Sequence, residues 1–334
     1  MKVLVTGASG FIGGFLVETG IGKGFSVWAG VRASSSRHNL AFAGVNLIEL
    51  DLSSPAELRA QLEGFKAEHG AWDYIIHAAG LTKCADKNDF FRVNEEGTRL
   101  FVESLKALDM VPEKFIYLSS LSVFGPVREH LPYTPILDTD IPQPNTAYGL
   151  SKLCAEHFLM EAGIPYVIMR PTGVYGPRDR DYFKMVAGIN RHVDFAVGYR
   201  PQVITFIYVK DLVKAIYLAI EKPVVNRCYF VSEPRGYGSR CFCEYIQAAL
   251  GKRFVLHFKA PLWMLKAVSA SAGVLAGLFG KASTLNSDKY WIMKQRNWLC
   301  DTRPIEKELG FRVDYPLERG VNEMVEWYKK ENWI

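Results

Sequence analysis

Met1-Lys2-Val3-Leu4-Val5-Thr6-Gly7-Ala8-Ser9-Gly10-Phe11-Ile12-Gly13 runs from a short apolar stretch into glycines spaced Gly-x-x-Gly-x-x-Gly. An apolar run that ends in such a triplet and opens a helical pattern, here Phe11–Thr19, reads as buried strand, tight turn and helix. Gly7 allows the turn, Gly10 lets the backbone approach a pyrophosphate, and Gly13 lets the helix pack on the strand. The phosphates would sit on the unpaired N–H groups of the helix start. The stretch therefore predicts a cradle for a nicotinamide dinucleotide.

Further apolar runs read as strands at Ser26–Val31, Asn46–Leu50, Tyr74–His77, Phe115–Ser119 and Tyr166–Arg170, with helical patterns such as Glu95–Leu108 between them. This alternation predicts an α/β protein: a Rossmann-type doubly wound parallel sheet with a smaller C-terminal α+β substrate lobe. Residues 1–173 are expected to form the dinucleotide-binding domain, and 174–334 mainly the substrate lobe, interleaved with the first. The glycine cluster Gly20–Gly24 is expected to end the first helix. Leu131–Asn145 and Arg178–Gln202, rich in Pro, Gly and charge, read as long loops. Asp211–Glu221 and Gly320–Glu331 look helical.

The 334 residues are 49% hydrophobic and carry a net charge of +5. That suits a large globular core and argues against disorder. No Lys/Arg-rich run supports a nucleic-acid partner. Six scattered cysteines fit reduced thiols. Cys241-Phe-Cys243 is too isolated for a zinc site, which needs about four ligands, so no metal is expected. The first strand begins at Lys2, leaving no room for a signal peptide, and a cytoplasmic location is expected. Pro261–Gly280 is apolar for nearly the ~20 residues of a bilayer span, but Lys266, serines, Gly273 and Gly277 interrupt it. It reads as a helix lying on a membrane or lining a greasy pocket, or as a buried helix pair.

Tyr148-Gly-Leu-Ser-Lys152 is the candidate for chemistry. Tyr and Lys four apart share one helix face. A lysine ammonium beside a phenol is expected to lower its pKa from about 10, so that it exchanges a proton near neutral pH. Ser119-Ser-Leu-Ser-Val-Phe-Gly125 ends the fifth strand, and ligands of open parallel sheets bind beyond the carboxyl ends of strands. A hydroxyl there can bond a reacting oxygen.

Together these residues resemble the extended short-chain dehydrogenase/reductase family. The motifs stand in the family's order: Thr6–Gly13, His77-Ala-Ala-Gly80, Ser119–Gly125, Tyr148–Lys152 and Arg170-Pro-Thr-Gly-Val-Tyr-Gly-Pro177. The resemblance covers most of the chain. It implies Ser120, Tyr148 and Lys152 as catalytic triad, with Tyr148 as acid/base and Lys152 also holding the nicotinamide ribose. It places Gly7, Ser9, Gly10, Phe11 and Ile12 along the cofactor, Asp51 and Leu52 at the adenine edge, and Ala78, Ala79 and Gly80 near the ribose. Pro171 and Val174 would pass the carboxamide. Asn94 matches the family's structural asparagine, and Gly13 its third glycine. Thr82, Ser122, Thr172 and Gly173 are expected to face substrate. The family commonly pairs as a homodimer through two helices, here including the one that starts at Tyr148. Its Leu153, Phe158 and Leu159 suit that interface or packing on the sheet equally.

NAD enzymes of this type usually carry an acid about twenty residues after the glycines, on the ribose 2′-hydroxyl. Here Val31 stands in that place and Arg32 follows, and a guanidinium can pair with a 2′-phosphate. This points to NADP(H) ahead of NAD(H), with Ser34 and Arg37 assisting. Nucleotide-sugar enzymes commonly show Asn where this chain has Gly173 and Arg where it has Thr205, both as phosphate contacts. Arg178, Arg180 or Arg200 could substitute. Leu121 and Ser122 stand where dehydratases carry acids. The Arg170–Gly173 wording looks like the 3β-hydroxysteroid dehydrogenase and dihydroflavonol reductase branches. The expected function is interconversion of a ketone and a secondary alcohol on an apolar or lipid-like molecule, a sterol or a long-chain keto-lipid such as a 3-ketosphinganine. The alternatives are a nucleotide-sugar epimerase and a non-catalytic NADP(H)-sensing protein. Membrane contact, if made, would run through Pro261–Gly280.

Overall fold

The computed structural model describes residues 1–42, 44–264 and 287–334. Its first half is a regular alternation: β1 (Lys2–Thr6), α1 (Phe11–Gly22), β2 (Ser26–Val31), β3 (Asn46–Glu49), α2 (Pro55–His69), β4 (Tyr74–His77), α3 (Asn88–Phe90), α4 (Gly97–Ala107), β5 (Lys114–Leu118), α5 (Ala147–Glu161) and β6 (Tyr166–Pro171). There follow β7 (Gly173–Tyr175), α6 (Asp181–Asn190), β8 (Val193–Val197), β9 (Val203–Ile204), β10 (Phe206–Tyr208), α7 (Val209–Glu221), β11 (Arg227–Val231), β12 (Tyr237–Gly238), α8 (Cys241–Ala249) and β13 (Leu256–Ala260). Three further helices span Ser287–Lys294, Arg303–Leu309 and Leu317–Lys330.

Seven strands form one parallel sheet in the order β11-β6-β5-β4-β1-β2-β3. Val3, Leu4 and Val5 are all buried, as a strand covered on both faces requires, which is why β1 is continuously apolar. One face packs on α1, α7 and the helix Arg303–Leu309. The other packs on α2, α4 and α5. The doubly wound sheet is as the sequence predicts. Its edge strand β11 and the covering α7 come from beyond residue 173.

A third core joins β7, α6, β10, α8 and the C-terminal helix around Tyr175, Phe242 and Tyr328. Small pairs β7/β10, β9/β12 and β8/β13 flank it.

The first helix ends at Gly22, inside the glycine cluster as expected; buried Gly20 also serves contact, since a Cβ there would collide with the Tyr217 hydroxyl of α7. One expectation is corrected. Arg178–Gln202 is not a long loop but holds α6 and β8, since Val186 and Ile189 meet the third core. Of the two roles left open for them, Leu153 and Leu159 take packing inside the subunit, Leu159 against the sheet, and Phe158 is partly buried on the same core. Cys241 and Cys243 lie in the first turn of helix α8. Of the apolar stretch Pro261–Gly280, only residues 261–264 lie within the described residues. Among these residues, no helix is long and apolar enough to cross a membrane.

Candidate active site

The glycine turn has no room for side chains. Gly7 adopts φ +67°, and a Cβ there would lie 2.7 Å from Ala78 O and Ala79 N. A Cβ on Gly13 would run into the Gly7 carbonyl. Helix α1 starts at Gly10 with no side-chain cap and no acid in its first turn, so its leading N–H groups are left for an anion. Gly7, Ser9, Gly10, Phe11, Ile12 and Gly13 line a cavity of about 1170 Å³. These features fit a dinucleotide pyrophosphate.

The cavity extends past the ends of β5 and β6, where Ser120, Tyr148, Lys152, Pro171, Thr172 and Val174 join its wall. The three triad candidates thus share one wall. Lys152 is buried and donates to the Leu118 carbonyl at 2.8 Å, over the Tyr117 ring. Burial lowers its pKa to about 8, against the nearby Glu156 carboxylate. Tyr148 does not follow expectation: burial pushes its phenol up, and hydrogen bonding with Ser120 draws it back only in part. Phe90 sets an edge against the Tyr148 ring, 5.8 Å between centroids.

Asn94 lies in a π-helical turn, Phe91–Glu96. Its amide accepts from Leu81 N at 2.8 Å and donates to Leu81 O and Ser151 Oγ, tying the loop after β4 to α5. His77 is equally structural. It bonds Thr6 and Thr98, and burial lowers its pKa to about 3, keeping it neutral.

A smaller adjoining cavity of about 270 Å³ is lined by Arg32, Ser35, Asp51, Leu52, Ala78, Ala79 and Gly80. Ser35, not the expected Ser34, bonds Arg32 N, at 3.2 Å, and Arg37 is not on either wall. Asp51 is held below the usual carboxylate range by hydrogen bonds from Ser53, with Arg32 helping least.

Thr82 lines the large cavity, whereas Ser122 and Gly173 do not. Ser122 donates its backbone N–H to Ser120 Oγ instead. A Cβ on Gly173 would come 2.5 Å from the Tyr182 hydroxyl. Thr205 is buried and donates to Trp298 O at 2.6 Å. Arg178 and Arg180 line the cavity, and Arg200 does not. Arg178 Nη1 is buried without a partner, beside Gly14 of α1.

Sequence reading missed Asp288. Its buried carboxylate accepts from Ala147 N at 2.9 Å and pairs with Lys87 at 3.0 Å. It therefore caps the first turn of the helix that carries Tyr148. A lone acid 141 residues downstream of its partner gives no local signal. Trp327, Trp333 and Tyr182, which line the outer cavity, were likewise not singled out.

The parallel sheet, the uncapped glycine cradle and the Ser-Tyr-Lys wall define an NAD(P)-binding enzyme acting on CH–OH groups, of the extended short-chain dehydrogenase/reductase type. Comparison with known proteins is specific on this point. Residues 3–231 match the NAD dependent epimerase/dehydratase family, and the chain belongs to that family. Ceramide reductase of Caulobacter vibrioides is 24% identical, over 99% of this chain and 96% of its own. A 4-hydroxy-2-methyl-3-oxo-4-farnesyl-3,4-dihydroquinoline-1-oxide ketoreductase of Stigmatella aurantiaca is 26% identical, over 86% and 90%. The UDP-glucose 4-epimerase of Thermotoga maritima superposes with a TM-score of 0.77 over 99% of this chain and 100% of that one, at 21% identity, and shares the fold.

Proposed function

We propose that the protein is an NADP(H)-dependent oxidoreductase that interconverts a ketone and a secondary alcohol on an apolar or lipid-like molecule. The carrying observation is the Tyr182 hydroxyl packed where a Gly173 side chain would stand. An asparagine there would meet the Tyr182 hydroxyl, 2.5 Å from its Cβ, before it could reach a sugar diphosphate. Thr205, at the second such position, spends its hydroxyl on Trp298 O. The aromatic groups Tyr182, Trp327 and Trp333 along the cavity suit an apolar chain or ring. Two relatives aligned over most of their length are named for a ceramide and for a farnesyl-bearing ketone, which favours a lipid ketone.

In the reductive direction the reduced nicotinamide, when bound, supplies hydride to the carbonyl carbon. Ser120 donates a hydrogen bond to the carbonyl oxygen. Tyr148 gives its phenolic proton to the oxygen as negative charge develops there. Lys152 keeps a positive charge close by, favouring the phenolate left behind. Asp51 and Leu52 would bound the adenine. Arg32 would meet a 2′-phosphate with Ser35 beside it, giving NADP(H) preference over NAD(H). Arg178, next to α1, is read as a further cofactor-side cation rather than a substrate contact. Residues 1–173 would serve mainly the dinucleotide and 174–334 mainly the substrate. A homodimer and surface contact with a membrane through Pro261–Gly280 complete the reading.

The test is NADPH absorbance with two panels, lipid and steroid ketones against nucleotide sugars, with products read by mass spectrometry. Loss of NADPH with a lipid ketone is expected. An isomerised nucleotide sugar at constant NADPH would overturn the proposal. That second outcome has one structural point in its favour, the cations Arg178 and Arg180 on the cavity wall.

A further inference from the structure

The ribbon β8/β13 is built inside out. In its parallel register Val193, Phe195 and Val197 pair with Leu256, Phe258 and Ala260. Side chains of paired residues share a face, and alternate residues take the other. One face is thus wholly apolar, and the other carries Asp194, Ala196, His257 and Lys259. A two-stranded ribbon normally buries the first and wets the second. Here Asp194 is the buried residue: it accepts from the Cys243 thiol of α8 at 3.3 Å and pairs with His257 Nδ1 at 3.0 Å. The apolar face looks outward. Phe195 and Phe258 stack on each other, 5.5 Å between centroids, yet are 73% and 51% exposed. Just past the ribbon Trp263 is 72% exposed.

Charge says what this face meets. Residues 191–202 and 251–264 contain Arg191, Arg200, Lys252, Arg253 and Lys259, and their single acid is the buried Asp194. Aromatic rings set among cations, with no exposed carboxylate, match the interface of an anionic bilayer, where rings sit at headgroup depth and cations pair with phosphates. A protein partner would not need this one-signed rim. The ribbon also follows directly from α6, whose first residues Asp181 and Tyr182 line the large cavity.

We infer that the outward face of β8/β13, with Trp263, docks the protein on anionic lipid membranes. This deepens the membrane contact proposed above by giving it the ribbon face, to which Pro261–Gly280 contributes only Trp263. It does not depend on the substrate, because binding is measured without turnover.

The experiment is flotation of the full chain with phosphatidylcholine vesicles, with and without phosphatidylglycerol. Binding to the phosphatidylglycerol vesicles, weakened by high salt, is expected. The triple variant Phe195→Ser/Phe258→Ser/Trp263→Ser should bind about tenfold less or worse, while still binding NADPH. Arg253→Glu/Lys259→Glu should lose the preference for phosphatidylglycerol. The inference is overturned by no vesicle binding by the wild type, by unchanged binding by the triple variant, or by a wild-type dimer that the triple variant converts to monomer. Loss of binding only in Val274→Asn/Leu278→Asn would also overturn it, while leaving the Pro261–Gly280 contact standing.

Discussion

Lys152 sits where a charge is costly, and that cost is measurable. Burial lowers its pKa to about 8, so the ammonium is present below that pH and lost as pH rises through it. In the proposed reaction, reductive turnover is therefore expected to fall as pH rises through about 8; a kcat profile flat to pH 10 would contradict this. Tyr148→Phe removes the proposed proton donor and leaves the ring against Phe90. A loss of roughly 10²–10⁴ in kcat is expected, as for a missing general acid, with NADPH binding retained by fluorescence titration. Gly173→Asn probes the discriminating contact. Its side chain must displace the partly buried Tyr182 ring, so reduced activity and a lower Tm are expected rather than gained nucleotide-sugar binding. That Ser120, Tyr148 and Lys152 meet on one cavity wall was legible because they stand in short motifs. Tyr182 was not, because its meaning lies in a contact with Gly173 that no spacing encodes.

Helix α5 is fixed at several points, and these set the frame for its tyrosine. Thr146 caps its first turn through Gly149 N, and Asp288 takes the Ala147 amide. One turn beyond Lys152, Glu156 accepts from Arg170 of β6 through two Nε contacts of 3.1 Å. That pair is buried, and the guanidinium also lies over Phe124. Removing one partner leaves the other charge buried and unpaired. Glu156→Gln is expected to cost about 3–5 kcal/mol in a urea melt, where a surface ion pair would cost under about 1. Most strands and the first helix could be read from apolar runs. Helix α6 could not, because charge and glycine around it obscured the spacing of Val186 and Ile189. Asp288 had no local mark, being supplied to α5 by the helix Ser287–Lys294.

At the scale of the molecule, the two cavities adjoin and share Gly7, Ser9, Gly10, Ala78 and Gly80 on their walls. A dinucleotide spanning them would tie α1, the end of β2 and the loop after β4 together. Ligand at 100 times its Kd stabilises by about 2.7 kcal/mol, so NADPH is expected to raise Tm, and more than NADH at equal concentration. Arg32→Ala should erase that difference. A larger shift with NADH would reverse the cofactor assignment.

The glycine turn, Ser120, Tyr148, Trp327 and Trp333 also share the wall of the one large cavity. One chamber shared in this way imposes a queue. A ketone reduced at Tyr148 would have to share that chamber with a nicotinamide already seated, so the dinucleotide should be first in and last out. Product-inhibition patterns should show it: NADP⁺ competing with NADPH, and the alcohol product not competing with NADPH.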